Sequence, residues 1–176
     1  AQKLYQDGKI TYMRTDSFNL SGQAISAATE FIKRLYGPEY SQVRKFKTKS
    51  AGAQEAHEAI RPTDVSLETA SNNEYDQKLY DLIHRRTLAS QMAPAKLEKT
   101  TITIAISTAT QVFEAKGEVI TFDGFMRVYG AKKDEILPSV TSGEGLKTSQ
   151  IEARQVFAKP PARFTEGSLV KKLEDL

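Results

Sequence analysis

The chain has 176 residues, 39% hydrophobic and 27% charged, enough apolar material for the core of one ordinary domain or two small ones. Its net charge of +3 and pI near 9.0 permit nucleic-acid binding without requiring it. The absence of cysteine excludes a disulfide framework, a thiolate metal site and a thiol nucleophile, and fits a reducing cytoplasm. No apolar run approaches the length needed to cross a bilayer, so no membrane role is expected. The opening residues Ala1 to Gly8 carry no apolar signal region and no initiator Met, and the chain is expected to be a piece of something longer.

In chain order, the first long helix is predicted from Ile25, Ala28, Ile32 and Leu35 at helical spacing, with Ser21 as its N-cap and Gly37-Pro38 as its stop. Ser41 to Asn73 has weak periodicity and reads as loop, with a short helix around Ala53 to Ile60. A second long helix is expected from Glu74 to Met92, with Leu79, Leu82, Ile83 and Met92 among its apolar positions; Pro94 closes it. His84-Arg85-Arg86 would form part of its polar face. The period then changes to two: Ile102, Ile104 and Ile106 face one way along Thr100 to Ile106. Gln111 to Ala115, Glu118 to Phe122 and Leu146 to Arg154 read as further strands, separated by Gly117, Asp123-Gly124 and Ser142 to Gly145. Lys159-Pro160-Pro161 ends this region, and Leu169, Val170, Leu173 and Leu176 begin another helix. The expected fold is α+β: a mostly helical region over 1–97, a small antiparallel β portion over 98–162, and the start of a further unit over 163–176.

Three segments suit chemistry on a phosphodiester. The first runs from Ile10 to Ser17. In an extended chain residues i and i+2 share a face, which would set Tyr12 beside Arg14. A phenol is a weak nucleophile because its reference pKa is about 10. A neighbouring guanidinium lowers the cost of forming phenolate and can hold a phosphate through paired hydrogen bonds. Tyr-x-Arg is common, however, and spacing alone favours a core-edge tyrosine with a surface-paired arginine. The second runs from Gln54 to Asp64. On a helix, His57 and Arg61 would share a face and form a cationic pair for phosphate, and a histidine there could also move a proton. Glu58 beside His57 suggests a metal, but no second histidine lies within helical reach. A solvated helix ended by Pro62 is the commoner explanation of the same residues. The third is Arg44-Lys45-Phe46-Lys47-Thr48-Lys49, four basic residues around an aromatic, suited to a nucleic-acid backbone and a stacked base; a plain solvated loop fits equally well. There is no phosphate loop for nucleotide hydrolysis, no run of aspartates suited to magnesium and no serine nucleophile elbow.

Taken together these segments resemble bacterial DNA topoisomerase I, a type IA topoisomerase. Ile10 to Ser17 is similar to that family's active-site tyrosine motif. Ala56-His57-Glu58-Ala59-Ile60-Arg61-Pro62-Thr63 resembles a second family motif, and Pro160 to Val170 a third, in the family's order. The resemblance implies that Tyr12 is the nucleophile that becomes joined to a 5′ phosphate of DNA. It gives Arg14 the positioning of the scissile phosphate, His57 a phosphate-holding and proton-moving role, and Arg61 a place in the phosphate surroundings. Asp16 is expected to fix the loop or cap a helix. The basic residues Arg44, Lys45, Lys47 and Lys49 are expected at the DNA. The helical region would be the tyrosine domain, related to helix-turn-helix folds, and the β-rich region would form a portion of the hinge. The family's Mg2+ and acid–base groups lie mainly in an upstream toprim domain that nothing here matches, so no metal ligand is expected in this chain. Its expected partners are DNA, chiefly single-stranded, and the toprim and arch domains of the same polypeptide, in a bacterial, nucleoid-associated setting. Alone, the chain is expected to be inactive. A non-catalytic DNA-binding module, or an architectural hinge segment with no DNA affinity, stays open as an alternative.

Overall fold

The structure is a computed structural model that describes residues 1–46, 57–130 and 133–175. It has mixed helix and antiparallel strand, as expected for α+β. Two compact units divide it, 1–138 and 139–176.

The first unit opens with α1 (Gln2–Gln6), a single helical turn whose Leu4 is buried. The chain then turns at Gly8 and enters one antiparallel bridge, Ile10 with Pro62. α2 (Gly22–Leu35) starts where predicted: the Ser21 hydroxyl accepts the Ala24 N–H at 3.2 Å. Its buried stripe is Ile25, Ala28, Phe31 and Ile32; Leu35, expected on that stripe, is exposed. Gly37 follows in a left-handed conformation, and a 3-10 turn, Pro38–Tyr40, redirects the chain.

α3 (Glu74–Ser90) is capped by Asn73, whose side-chain oxygen accepts the Tyr75 and Asp76 N–H groups at 3.0 and 3.1 Å. Its buried residues are Tyr80, Thr87 and Leu88, with Met92 just beyond its end. Leu82, expected to be apolar and inward, is 59% exposed. His84, expected on the polar face, is half-buried: its ring lies 5.9 Å from both Tyr80 and Phe31, and Nε2 is 2.8 Å from the Val65 carbonyl. Two clusters fill the interior. One joins Phe31 and Ile32 of α2 to Leu88 and Met92; the other joins Leu4, Ile10 and Tyr80. The second cluster fixes the start of the chain to α3, and so fixes the tyrosine motif that follows Ile10.

β1 (Lys96–Ala105) and β2 (Val112–Phe122) form a two-stranded antiparallel hairpin in which Ile102 pairs with Ala115 and Ile104 with Phe113. The predicted alternation holds, since Ile102, Ile104 and Ile106 are less exposed than their neighbours. The two strands expected on either side of Gly117 are a single strand. Gly117 lies inside β2, paired with Thr100, because the Glu135 backbone crosses it: a Cβ there would sit 2.6 Å from the Glu135 carbonyl oxygen. The hairpin base is tied to the helical region. The Phe125 N–H donates to the Ala93 carbonyl at 2.8 Å, and the Tyr40 hydroxyl donates to Asp123 at 2.7 Å. A 3-10 turn, Gly124–Tyr129, follows.

The second unit holds α4 (Glu166–Glu174), opened by a capping box between Thr165 and Ser168. The strand expected over Leu146 to Arg154 is not formed; those residues are exposed and make no ladder. Alternating residues make a strand only when a neighbouring strand accepts the backbone groups, and no other described segment pairs with them. Among the described residues, no helix is long and apolar enough to cross a membrane.

Candidate active site

Two segments far apart in sequence are sewn together beside the start of α2. The Thr11 N–H donates to the Arg61 carbonyl at 2.9 Å, and the Thr63 N–H to the Lys9 carbonyl at 3.1 Å. The Thr11 hydroxyl donates to the Ala59 carbonyl at 2.8 Å and accepts the Arg61 N–H at 2.9 Å. The Thr63 hydroxyl donates to the Gly8 carbonyl at 2.6 Å, and the Ala59 N–H to the Asn19 carbonyl at 2.7 Å. One threonine side chain thus serves both segments, and Tyr12 follows it directly.

This stitching brings the rings of Tyr12 and His57 to 5.3 Å, tilted by 42°. Tyr5, near the end of α1, also meets Tyr12, edge-on at 5.3 Å and 69°. Tyr12 and His57 are both half-buried and belong to neither core cluster. Arg14 is exposed and, among the described residues, has no hydrogen-bond or ion-pair partner. The backbone from Thr11 to Arg14 bends instead of continuing as a strand, so the alternation that would have aligned Tyr12 with Arg14 does not operate. An exposed, uncommitted guanidinium two residues from the phenol is nonetheless free to take a phosphate.

The segment after His57 also departs from expectation. From His57 to Ile60 the chain is irregular, not helical; Ala53 to Ala56 lie outside the described residues. His57 and Arg61 therefore share no helix face. Arg61 turns instead to Glu58: Nε donates to Oε2 at 2.9 Å, and Nη1 donates to the Pro62 carbonyl at 2.9 Å. Glu58 Oε1 accepts the Ser21 N–H at 2.7 Å, at the start of α2. Burial pushes the Glu58 carboxyl up, but the hydrogen bonds from Ser21 and Arg61 and the Arg61 charge outweigh it and hold the group below its ordinary range. Arg61 lines a cleft on α2 with Gln23, Ala24, Ala27 and Thr63.

In the basic segment, Arg44 is half-buried and its backbone is clamped by the buried Gln91: the Arg44 N–H donates to Gln91 Oε1, and Gln91 Nε2 to the Arg44 carbonyl, both at 3.1 Å. Lys45 and Phe46 are exposed. Lys47 and Lys49 lie outside the described residues. Asp16, expected to fix the loop, is exposed and makes no hydrogen bond among the described residues; Thr15 and Ser17 make the local side-chain turns. Sequence reasoning missed Thr11, Tyr5 and the structural use of Glu58. Glu58 was legible only as an acid beside His57, and nothing in spacing linked it to Ser21. Among the described residues, no group of three or more His, Asp or Glu side chains is arranged to hold a metal ion.

A half-buried tyrosine has a histidine ring against it, and an exposed arginine follows two residues later. The chain belongs to the DNA topoisomerase family, whose model matches residues 1–176. The resemblance to bacterial DNA topoisomerase I is borne out by its relatives. The chain is 45% identical to DNA topoisomerase 1 of Vibrio cholerae over 99% of its own length and 20% of that protein's. It is 42% identical to the Zymomonas mobilis enzyme over 100% of its length and 16% of that protein's. The fold is similar to that of full-length topoisomerase I from Thermotoga maritima, with a TM-score of 0.71 and 32% identity over 95% of this chain and 27% of that one. The chain thus spans between 16% and 27% of the length of these proteins.

Proposed function

We propose that this chain supplies the cutting tyrosine of a type IA DNA topoisomerase, an ATP-independent isomerase that relaxes negatively supercoiled DNA. In this reading the Tyr12 oxygen attacks a backbone phosphorus of one strand. The bond to the 3′ oxygen breaks, that oxygen takes up a proton, the phenol loses one, and a 5′-phosphotyrosine link forms. The other strand passes, and the 3′ hydroxyl reverses the exchange. One phosphodiester is traded for another, so no nucleotide need be hydrolysed. Arg14 positions the scissile phosphate and stabilises its charge. His57 holds phosphate and assists proton transfer, and Arg61, Arg44 and Lys45 belong to the surroundings of the DNA. Lys47 and Lys49 extend the same basic segment.

The helical region over 1–97 is the tyrosine domain, the residues over 98–162 a portion of the hinge, and 163–176 the start of a further domain. The Mg2+ site and the remaining acid–base groups belong mainly to the toprim domain of the same polypeptide, and the arch domain is a further partner, so the 176 residues alone relax no DNA. Chiefly single-stranded DNA is the substrate, in the bacterial cytoplasm at the nucleoid. The observation that carries this reading is the 5.3 Å approach of the Tyr12 and His57 rings from distant segments. The test is adduct trapping in the full-length polypeptide. A 3′-labelled single-stranded oligonucleotide should become covalently bound to protein, and Tyr12→Phe should abolish that capture. Capture that survives Tyr12→Phe means another nucleophile. Salt-sensitive DNA binding with no adduct at all favours a binding module instead.

A further inference from the structure

We infer that Glu58 is a positioning residue for cleavage: its carboxylate, held between the start of α2 and Arg61, sets His57 against Tyr12. This deepens the proposed function and rests on it. From His57 to Ile60 the chain is not helical, so side chains and neighbouring backbone must fix these residues. Glu58 is the adjacent residue and grips in two directions. Oε1 takes the Ser21 N–H at 2.7 Å, the residue whose own hydroxyl caps α2, and Oε2 takes Arg61 Nε at 2.9 Å. Arg61 in turn is joined through its backbone to Thr11, directly before Tyr12. The carboxylate therefore links α2 through Glu58 and Arg61 to Thr11, and His57 and Tyr12, the neighbours of Glu58 and Thr11, meet at 5.3 Å. Glu58, its two oxygens committed to Ser21 and Arg61, acts through His57.

Glu58→Gln isolates the effect. The amide oxygen can still accept from Ser21, but the amide N–H2 cannot accept from Arg61. In the full-length polypeptide, single-turnover cleavage of a single-stranded oligonucleotide at saturating concentration should fall about 10–100-fold, the scale expected for a catalytic group misplaced by about an ångström. DNA affinity should stay within about threefold, since phosphate contacts dominate it. In a His57→Ala background the same change should cost less than about twofold, because residues acting through one another are not additive. If Glu58→Gln fails to fold, Glu58→Asp carries the test, with a loss of roughly 3–10-fold that also vanishes without His57. Cleavage by Glu58→Gln within about twofold of the parent, or the same loss with and without His57, overturns the inference. Those outcomes leave the proposed function standing as long as Tyr12→Phe loses capture and His57→Ala cuts slowly. Wild-type cleavage by His57→Ala brings down the His57 assignment itself.

Discussion

Replacing Thr11 by Val removes one oxygen and nearly nothing else. That oxygen donates to the Ala59 carbonyl at 2.8 Å and accepts the Arg61 N–H at 2.9 Å. Each such hydrogen bond contributes about 0.5–1.5 kcal/mol net. Two lost bonds, with a half-buried Arg61 N–H left without its acceptor, give a destabilisation of about 1–3 kcal/mol. The backbone bonds from Thr11 to Arg61 and from Thr63 to Lys9 remain, so the segments should loosen without separating. Thermal unfolding of the chain should show the midpoint falling by about 2–4 °C per kcal/mol lost, the scale for 150–250 residues. Thr11→Ser keeps the oxygen and should sit close to the parent. In the full-length polypeptide Thr11→Val should also slow cleavage, because His57 lies two residues before Ala59 in the stitched segment. A stability change under about 0.5 kcal/mol, indistinguishable between Val and Ser, would refute the claim that this hydroxyl holds the two motifs together.

Arg14→Ala in the full-length polypeptide should cut about 10²–10³-fold more slowly, the scale of losing one donor to a charged transition state, and normal cleavage would remove it from the mechanism. Tyr80 is fully buried and its hydroxyl donates to the Leu67 carbonyl at 2.8 Å; burial first, then the charges of Asp64 and Asp81, pushes its pKa up to about 12. Its contribution is therefore complete below the unfolded value of about 10 and is lost as pH rises through the folded one, so stability should fall between roughly pH 10 and 12, a step that Tyr80→Phe should diminish. For Glu58, whose folded pKa is depressed, the sign reverses: its contribution is complete above the ordinary carboxylate value and fades as acid protonates it in the folded state. Gly124→Ala should cost about 1–3 kcal/mol or more in a denaturant titration, since φ is +48° and the new Cβ would lie 2.5 Å from the Ala93 carbonyl oxygen; a neutral effect would mean the hairpin base yields freely.

The helices were legible because their information is local. Ser21 before a run of Ile25, Ala28 and Ile32 states both a cap and a face, and the structure keeps both. Ile102, Ile104 and Ile106 state a strand in the same way. Local information misleads where a distant partner decides. Gly117 looked like a break between strands, yet it is there because the Glu135 backbone crosses β2. Leu146 to Arg154 looked like a strand, but alternation without a neighbour leaves backbone groups to water. His84 looked polar and outward, and packs between Tyr80 and Phe31.

The candidate site divides along the same line. Its residue types and motif order are carried by the linear sequence, because a phenol and a guanidinium are chemical identities that need no fold to be recognised. Their arrangement belonged to the tertiary structure alone. Only the folded chain lays Lys9 to Thr11 against Ala59 to Thr63, sets the His57 ring on Tyr12, and joins Arg61 to Glu58. The contacts of Lys9 to Thr11 with Ala59 to Thr63, and of Tyr12 with His57, join positions too far apart for any periodicity to encode. They form because burying Leu4 and Ile10 against Tyr80 delivers one segment to the other, where backbone donors and acceptors must then be met.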